Sequence, residues 1–340
     1  MSDFADRLVR WQKKHGRHDL PWQNTTDPYR VWLSEIMLQQ TQVATAVPYY
    51  ARFLDRFPTL AALAAAPVEE VMALWSGLGY YARARNLHAC AQALAARHDG
   101  RFPPHPDELT ALPGIGRSTA NAIAVFCFGA QLPILDGNVK RVLARCFGID
   151  GFPGTAAVES RLWRHAESLL PAQHLPAYIQ GQMDLGATIC TRGRPRCDAC
   201  PLTEICVARR DGRVAELPTP RPAKAQPERK ATLLVLQHKD RVLLEQRPPT
   251  GIWGGLLSLP ELPEGADPVL HAAERLGARI IAVSPAPTFL HAFTHFRLHI
   301  SPLLCDAQPL PRAAEPGLRW MDRAALAGAG LPAPVRKILA

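Results

Sequence analysis

The sequence lacks any long uninterrupted apolar stretch. None of its runs approaches the roughly 18 apolar residues that a membrane-spanning helix needs. The N-terminal segment MSDFADRLVRWQKKHGR mixes acids with bases, and so it also lacks the apolar core of a signal peptide. These two deficits argue against a membrane protein, and we expect a soluble, cytoplasmic protein with no membrane partner.

Acidic residues are scarce relative to basic ones. The 340 residues include 39 Lys and Arg but only 30 Asp and Glu, and the formal charge of +9 favours a polyanionic partner. The length suffices for two or three domains, each with its own core. Inside a cell, the eight cysteines are expected to be thiols or metal ligands rather than disulfides.

Residues 112–145, LPGIGRSTANAIAVFCFGAQLPILDGNVKRVLAR, predict a helical hairpin. We expect Asp107 to cap a short helix that ends at Leu112, with Gly114 and Gly116 in the turn that follows. The apolar face of the second helix would consist of Ala120, Ile123, Ala124 and Phe128. Two glycines beside a helix start let the backbone approach a phosphate closely.

Two acidic residues stand in apolar surroundings. Glu35 follows a helix start at Asp27 and Pro28, and apolar residues flank it on nearly every side. A poorly hydrated pocket would raise the pKa of this carboxyl and keep its proton available near neutral pH. Asp136 lies in the apolar run ILDGNV. The alternatives are a buried ion pair for Glu35 and a helix cap for Asp136.

Residues 75–86, WSGLGYYARARN, combine a glycine turn with aromatic rings and two arginines. This composition suits a distorted nucleic-acid strand, although a helix start with a packed tyrosine would have it too.

Four cysteines follow the spacing C-x6-C-x2-C-x5-C, namely Cys190, Cys197, Cys200 and Cys206. Structural zinc sites usually pair two short cysteine hooks across a longer gap, whereas this run has one. The spacing therefore favours an iron–sulfur cluster over zinc. The remaining cysteines lie in apolar sequence and are expected to pack in cores: Cys90, Cys127, Cys146 and Cys305.

The character of the chain changes at residue 209. Residues 1–208 are predicted to be helical, and residues 209–229 to form a basic, proline-rich linker. Alternating patterns then predict a hairpin of residues 231–237 and 241–247 and a strand through residues 296–300. Helices are also predicted near residues 271–276 and 334–339. The predicted fold class is a mainly α region followed by a smaller α+β domain in residues 230–340.

Several long motifs carry a resemblance to a known family. Over residues 1–208, WLSEIMLQQTQV, GLGYYARARNL, LPGIGRSTA, ILDGNVKRVLAR and the cysteine run resemble helix-hairpin-helix glycosylases of the endonuclease III type. The segment RVLLEQRPPTGIWGGLLSLPE resembles a Nudix-like domain, and the whole chain is similar to the MutY-type adenine DNA glycosylases. The resemblance implies a base excision repair hydrolase that removes adenine mispaired with 8-oxoguanine, and with guanine, from double-stranded DNA. It also implies a [4Fe–4S] cluster on the four cysteines, and we expect a monomer that is associated with the nucleoid in a bacterium.

The resemblance also assigns roles to single residues. Glu35 would protonate the flipped adenine, Asp136 would face the developing sugar cation, and Asn138 would orient one of them. The residues expected to contact DNA or the lesion are Gln40, Thr41, Leu78, Tyr80, Gly114, Gly116, Phe293, Thr294 and His295. The last three match a Phe-Ser-His loop of the family, with threonine in place of serine.

Two departures from related enzymes refine the prediction. Ser118 stands where bifunctional relatives carry a lysine nucleophile, and serine cannot form a Schiff base, which implies a mainly monofunctional enzyme. Active Nudix hydrolases need several glutamates in the pattern RE-x-x-EE-x-G, whereas the matching helix here offers only Glu274. We therefore expect this domain to bind rather than hydrolyse.

Three alternatives remain open at this point. An endonuclease III-like pyrimidine glycosylase is disfavoured by Ser118 and the extra domain. A Nudix pyrophosphatase fused to a DNA-binding module is disfavoured by the missing glutamates. A non-enzymatic lesion-binding protein would not need acids at both positions 35 and 136.

Overall fold

A computed structural model of the protein describes residues 3–222, 225–311 and 316–340, which separate into two compact units. The first unit contains the described residues up to 64 and those from 89 to 222, and the second contains residues 65–88 and the described residues from 225 onward. The units thus differ from the predicted division at residues 208 and 230, because the segment 65–88 belongs with the C-terminal residues.

Residues 3–222 are helical, as predicted, and contain no strand. The α-helices are α1 (Asp3–His15), α2 (Pro28–Leu38), α3 (Val43–Arg56), α4 (Leu60–Ala65), α5 (Val68–Trp75), α6 (Ala82–Arg97), α7 (Pro106–Thr110), α8 (Arg117–Phe128), α9 (Gly137–Cys146), α10 (Ala156–Ser168), α11 (Leu175–Thr188) and α12 (Val207–Arg210). Among the described parts of the chain, no helix has the length and apolar character that crossing a membrane requires.

One core of the first unit forms where α1, α9, α10 and α11 pack together. Apolar side chains at helical spacing supply it, such as Leu8 on α1, Leu143 on α9 and Leu162 on α10, each fully buried. Burying a leucine side chain completely contributes about 1.5–3 kcal/mol. This core holds the start of α9 in place, and Asp136 lies immediately before that helix.

The helical hairpin differs from the sequence prediction in two details. Helix α7 begins at Pro106 with His105 as its N-cap residue, so Asp107 lies inside the first turn and does not cap it. Proline is well suited to the first helical position, and the helix starts two residues earlier than expected. Phe128 is 38% exposed because it is the last residue of α8, before the chain turns away at Gly129.

The described residues of the second unit form an eight-stranded mixed sheet. Its elements are β1 (Glu228–His238), β2 (Arg241–Gln246), β3 (Leu257–Ser258), β4 (Glu261–Leu262), α13 (Pro268–Glu274), β5 (Ala278–Pro285), β6 (Phe289–Ala292), β7 (Arg297–Pro309), β8 (Leu318–Asp322) and α14 (Ala333–Leu339). The main strand order is β3-β2-β1-β7-β5, with β1 parallel to β7. The predicted hairpin is confirmed by the antiparallel pairing of β1 with β2.

Polar anchors explain why residues 65–88 belong to this unit. Ser76 Oγ donates to the carbonyl of Leu331 at 2.8 Å, and Arg85 Nη1 donates to the carbonyl of Gly254 at 2.6 Å. The partners of these bonds are 255 and 169 residues apart in sequence. A pattern of local periodicity contains no information about contacts over such distances.

Candidate active site

A cavity of about 1570 Å³ in the first unit brings together residues that are far apart in sequence. Its wall comes from the loop after α1, from α2 and the turn that follows it, from the starts of α8 and α9, and from α11. Six of the residues singled out in the sequence line this one cavity: Glu35, Gln40, Thr41, Ser118, Asp136 and Asn138.

Helix α2 carries Glu35 to the cavity. Asp27 caps the helix by accepting from the backbone N–H of Tyr29 at 2.9 Å, and Pro28 occupies its first turn, as predicted. Leu33 and Met37 are fully buried and fix the helix in the core. Burial, and then the negative charge of Asp136, raise the pKa of Glu35 from 4.5 to about 8. This carboxyl therefore keeps its proton at neutral pH.

Asp136 is both a helix cap and a wall of the cavity. Its Oδ1 accepts from the backbone N–H of Val139 at 2.7 Å, and its Oδ2 accepts from Asn138 Nδ2 at 3.3 Å. Burial raises the pKa of Asp136, whereas these hydrogen bonds and the Arg141 cation partly counteract the rise. Burial and the neighbouring carboxyl both favour the neutral form of Glu35. Asp136, by contrast, has hydrogen-bond donors and a nearby cation that favour its anion.

Helix α8 holds the extended segment that leads to Asp136. Ser118 Oγ accepts from the backbone N–H of Leu135 at 3.0 Å, and Asn121 Nδ2 donates to the carbonyl of Pro133 at 2.7 Å. Asn121 is 4% exposed and was not identified from the sequence, although a polar residue on the apolar face of a helix was a usable signal. Ser118 thus has a structural role in addition to its place in the cavity wall.

Arg141 links the N-terminal end of α9 to the cysteine segment. Its Nη2 donates to Asn138 Oδ1 and to the carbonyl of Gly186, each at 2.8 Å. Its Nε donates to the carbonyl of Cys190 at 2.7 Å. Sequence reasoning missed this residue, which lies one helical turn after Asn138 and so can contact it.

A buried ion pair supports another part of the cavity wall. The Asp184 carboxylate, which is fully buried on α11, accepts from Arg17 Nε at 2.7 Å and from the Arg17 backbone N–H at 2.9 Å. It also accepts from Gln180 Nε2 at 2.9 Å. The pair fastens the loop after α1 to α11, and both Arg17 and Gln180 line the cavity. Neither residue was identified from the sequence.

Two cysteines of the spaced run, Cys190 and Cys206, contact Arg145 of α9, and the four thiols interact electrostatically with one another. Arg145 Nη1 donates to Cys190 Sγ at 3.3 Å, and Cys206 Sγ donates to the Arg145 carbonyl at 3.5 Å. Burial, with smaller contributions from the other three thiols, raises the pKa of Cys200 to about 12. Within residues 3–222, 225–311 and 316–340, no three or more His, Cys, Asp or Glu side chains are gathered closely enough to hold a metal ion.

Two predicted DNA-contacting elements of the first unit have unusual backbone geometry. Gln40 forms the sharp turn after α2 with φ of +57°, a region that residues other than glycine seldom adopt. Gly114 has φ of +76°, so the hairpin turn itself requires glycine there. At Gly116, the N-cap of α8, a Cβ would meet no protein atom within 4 Å, and the backbone faces open space.

The remaining predicted residues lie in the second unit. Tyr80 has φ of +49° and is 46% exposed, and its Oη lies 3.1 Å from Thr294 Oγ1. Thr294 and His295 are exposed in the turn between β6 and β7, which the hydrogen bond from the Phe293 backbone N–H to the Phe296 carbonyl closes. Leu78, by contrast, is only 7% exposed. Its side chain packs inside the unit and offers little surface to a ligand.

Comparison with known proteins gives matches to both parts of the chain. Residues 33–168 match the model of the HhH-GPD superfamily of base excision DNA repair proteins, and residues 231–340 match that of the NUDIX domain. A thermostable thymine-DNA glycosylase of known structure superposes with a TM-score of 0.55 and 26% identity, over 61% of this chain and 95% of its own. An endonuclease III–DNA complex, at 22% identity, has the same fold over 61% of this chain and 94% of its own, with a TM-score of 0.53.

Similarity to curated proteins extends over nearly the full length. The adenine DNA glycosylase of Buchnera aphidicola subsp. Acyrthosiphon pisum is 36% identical over 99% of this chain and 96% of its own length. The human adenine DNA glycosylase is 31% identical over 99% of this chain and 73% of its own length. With its helical hairpin, its carboxyl pair in one cavity and its C-terminal Nudix-like domain, the chain belongs to the adenine DNA glycosylases, enzymes of base excision DNA repair.

Proposed function

We propose that this glycosylase removes adenine mispaired with 8-oxoguanine, and also with guanine, from duplex DNA, and that it does so as a mainly monofunctional monomer. The observation that carries the proposal is the pair of carboxyls in one cavity. Glu35 is neutral near pH 7. Asp136, whose anion is favoured by its hydrogen-bond donors and by Arg141, is proposed to be the ionised partner. An acid and a carboxylate with different protonation states are the pair that N-glycosidic bond cleavage requires.

The reaction follows from these protonation states. Adenine must first leave the base stack, which costs a few kcal/mol. Glu35 then donates its proton to N7 of the purine. The bond between the base and the sugar breaks, and its electron pair leaves with the base. Asp136 stabilises the positive charge that develops on the sugar, and Asn138, itself held by Arg141, keeps that carboxylate in place. The ionised Glu35 accepts a proton from the water that adds to the sugar.

Tyr80 of the second unit would fill the space that the flipped adenine leaves, and Gln40 of the first unit is separately proposed to contact the DNA. Gln40 and Tyr80 both have positive φ angles, at +57° and +49°. Such strained geometry in residues other than glycine is frequent at functional sites, because the surrounding structure has to maintain it. An aromatic ring of this kind stacks on bases without regard to sequence, and we assign Tyr80 that role.

Recognition of the opposite base is assigned to the turn of Phe293, Thr294 and His295. 8-Oxoguanine differs from guanine by an added oxygen and an N7 hydrogen, so a hydroxyl that both donates and accepts suits it. Thr294 supplies that hydroxyl in an exposed position, next to the ring of Tyr80. A hydrogen bond of this kind contributes on the order of 1 kcal/mol to the choice between the two bases.

The helical hairpin is proposed to bind the DNA backbone. At Gly116 the missing side chain leaves open space where a phosphate can approach the first N–H groups of α8. Gly114 provides the turn. The +9 charge of the whole chain supports the same assignment, because phosphate contacts dominate the affinity of proteins for DNA.

Two assignments concern chemistry that the enzyme would not perform. Ser118 offers a hydroxyl where an amine would be needed for Schiff-base strand cleavage. Residues 230–340, together with the segment 65–88, are assigned to lesion recognition. Helix α13 of the Nudix-like domain carries a single glutamate, Glu274, and so it has too few carboxylates for a hydrolytic metal site.

The four cysteines are proposed to hold a [4Fe–4S] cluster, which would bind thiolates from Cys190, Cys197, Cys200 and Cys206. The donor set fits this group: all four are cysteines, they interact electrostatically with one another, and Arg145 donates to the sulfur of Cys190. A bound cluster would supply a cross-link for a segment that otherwise has only short helices. Arg141 and Arg145 of α9 would then join the cluster segment to the helix that Asp136 caps.

An excision assay on three duplexes tests the proposal. Each duplex has a single site, either A:8-oxoguanine, A:G or thymine glycol, and excision is followed under single-turnover conditions. We expect fast removal of adenine from A:8-oxoguanine, slower removal from A:G and no release of thymine glycol. Preferential release of thymine glycol would assign the chain to the pyrimidine glycosylases, and equal rates for the two adenine substrates would refute the proposed lesion preference.

A further inference from the structure

The second unit joins two elements with different proposed roles. Tyr80, which would fill the gap left by the flipped adenine, lies in the segment 65–88, and Thr294, which would recognise the lesion, lies between β6 and β7. Their hydroxyl oxygens are 3.1 Å apart. One hydrogen bond between two exposed side chains is too weak to keep two loops in register. Another part of the unit must fix their relative position.

Arg336 provides such a fixing point from the C-terminal helix α14. Its Nη2 donates to Ser76 Oγ at 3.2 Å and to the Ala329 carbonyl at 2.5 Å, and its Nη1 donates to the Leu326 carbonyl at 3.4 Å. The Ser76 hydroxyl in turn donates to the Leu331 carbonyl at 2.8 Å. A guanidinium group suits this arrangement, because its donors are fixed in one plane and can bind several oxygens at once.

We call the hydrogen bonds of Arg336 to Ser76, Ala329 and Leu326 the clamp. Ser76 lies where this clamp has the greatest effect on the position of Tyr80. It directly follows α5 and begins the turn of residues 76–81, in which both Gly79 and Tyr80 have positive φ angles. At the other end of the turn, Arg85 on α6 donates to the Gly254 carbonyl at 2.6 Å. Both ends of the turn are therefore fastened to the C-terminal part of the unit, with Tyr80 between them.

We propose that Arg336 is a positioning residue for lesion recognition, which holds the turn of Tyr80 against the domain that carries Thr294 so that both contact the DNA as one rigid element. This inference rests on the proposed function, since it requires that the enzyme distinguish 8-oxoguanine from guanine. It predicts that loosening the clamp lowers this discrimination while leaving the glycosidic chemistry intact. Arg336 itself touches neither base.

Two variants and one matched control test the inference in the full-length enzyme. Arg336→Ala removes the clamp, and Ser76→Ala removes only the hydroxyl and so is the milder change. Arg323→Ala is the control, because Arg323 Nη1 donates to the Leu339 carbonyl at 3.1 Å and anchors the same helix without contacting Ser76. The measured quantity is the ratio of single-turnover excision rates on A:8-oxoguanine and A:G duplexes, with the thermal midpoint of each variant as a check on folding.

We expect the ratio to fall at least about fivefold in Arg336→Ala and in Ser76→Ala, with the A:G rate within about twofold of the parent. The fall in the double variant should be smaller than the two single effects combined, since both changes remove the contact between Arg336 and Ser76. Arg336→Lys should recover part of the ratio, and Arg323→Ala should keep it. An unchanged ratio in Ser76→Ala and Arg336→Ala, or an equal fall in Arg323→Ala, would overturn the role of Arg336. A parent enzyme without any preference would instead refute the proposed function, and with it this inference.

Discussion

Replacing Glu35 by glutamine should inactivate the enzyme and yet stabilise it at alkaline pH. The glutamine side chain has the same size but can neither donate the catalytic proton nor ionise. In the unfolded chain this carboxyl ionises near 4.5, whereas in the folded protein burial and Asp136 keep it protonated up to about pH 8. Between these two values the folded state binds more protons than the unfolded state, so the contribution of Glu35 to stability falls as pH rises.

The magnitude follows from the same two values. A difference between 4.5 and about 8 corresponds to at most about 5 kcal/mol of stability lost by pH 9, at about 1.4 kcal/mol per pH unit. Glu35 is only partly buried in the wall of the cavity, and the amide of glutamine has its own desolvation cost. We therefore expect a net gain of about 1–3 kcal/mol for Glu35→Gln at pH 9. Below pH 4.5 the gain should vanish.

Denaturant unfolding at pH 4.5 and pH 9 measures this difference, and single-turnover excision measures the activity. Glu108→Gln, a change at an exposed acid on α7, is the matched control and should alter neither quantity. In the parent enzyme, excision should slow as pH rises through about 8, since the proton on Glu35 is lost. A stability difference that does not depend on pH, or near-normal excision by Glu35→Gln, would refute the assignment of Glu35 as the neutral acid.

Three further predictions concern the other site residues. Asp136→Asn should slow excision by at least about 100-fold while duplex affinity, measured by fluorescence anisotropy, stays within a few fold, because asparagine can still cap α9 but carries no negative charge. Binding lost to the same extent as excision would contradict this. Ser118→Lys should yield a covalent adduct with DNA on borohydride trapping, although it also removes the acceptor for the N–H of Leu135 and should lower the rate of base release. An equally strong adduct in the parent would show that the enzyme is bifunctional. Thr294→Val should slow excision from A:8-oxoguanine more than from A:G, and equal slowing of both would show that Thr294 serves general affinity.

Thr294→Val is a sharper test of lesion recognition than a truncation, because residues 65–88 depend on the C-terminal part of the chain. Deleting residues 230–340 removes the partners of residues 65–88, including the acceptors of Ser76 and Arg85. Such a truncated chain would lose the support of Tyr80 together with the lesion-recognition loop. Its activity would therefore report on two elements at once, whereas Thr294→Val changes a single group.

Local patterns in the sequence were sufficient for most secondary structure and for the acids of the cavity. Asp27 and Pro28 start α2 as predicted, and the alternating residues after 230 form the predicted hairpin. Both features depend on neighbours within a few residues, and this is the range over which capping and periodicity act. Phe128 was predicted to lie on the buried face of its helix but is exposed, because periodicity alone does not tell where a helix leaves the core.

Glu35 and Asp184 show where local patterns stop being informative. Each is an acid on a largely apolar helix, so the sequence alone allows the same two interpretations for both, a functional carboxyl or a buried ion pair. Asp184 is paired with Arg17, which lies 167 residues away, while burial and a second acid raise the pKa of Glu35. The deciding partner is determined by the tertiary fold in each case. The same limit applies to the segment 65–88, whose partners lie more than 160 residues later.

The second unit combines two segments that are far apart in sequence, and this affects how it folds during synthesis. Residues 65–88 leave the ribosome long before residues 225–340, with which they share their unit. Helix α6 begins in the second unit and ends in the first. Its later turns can therefore pack at once, whereas the partners of its first turns have not yet been synthesised. Translation at about 5–20 residues per second makes this interval several seconds or more. During that time Tyr80 and its turn lack their anchors, and a nascent chain is expected to expose this segment to proteases and chaperones until the last helix, α14, has emerged.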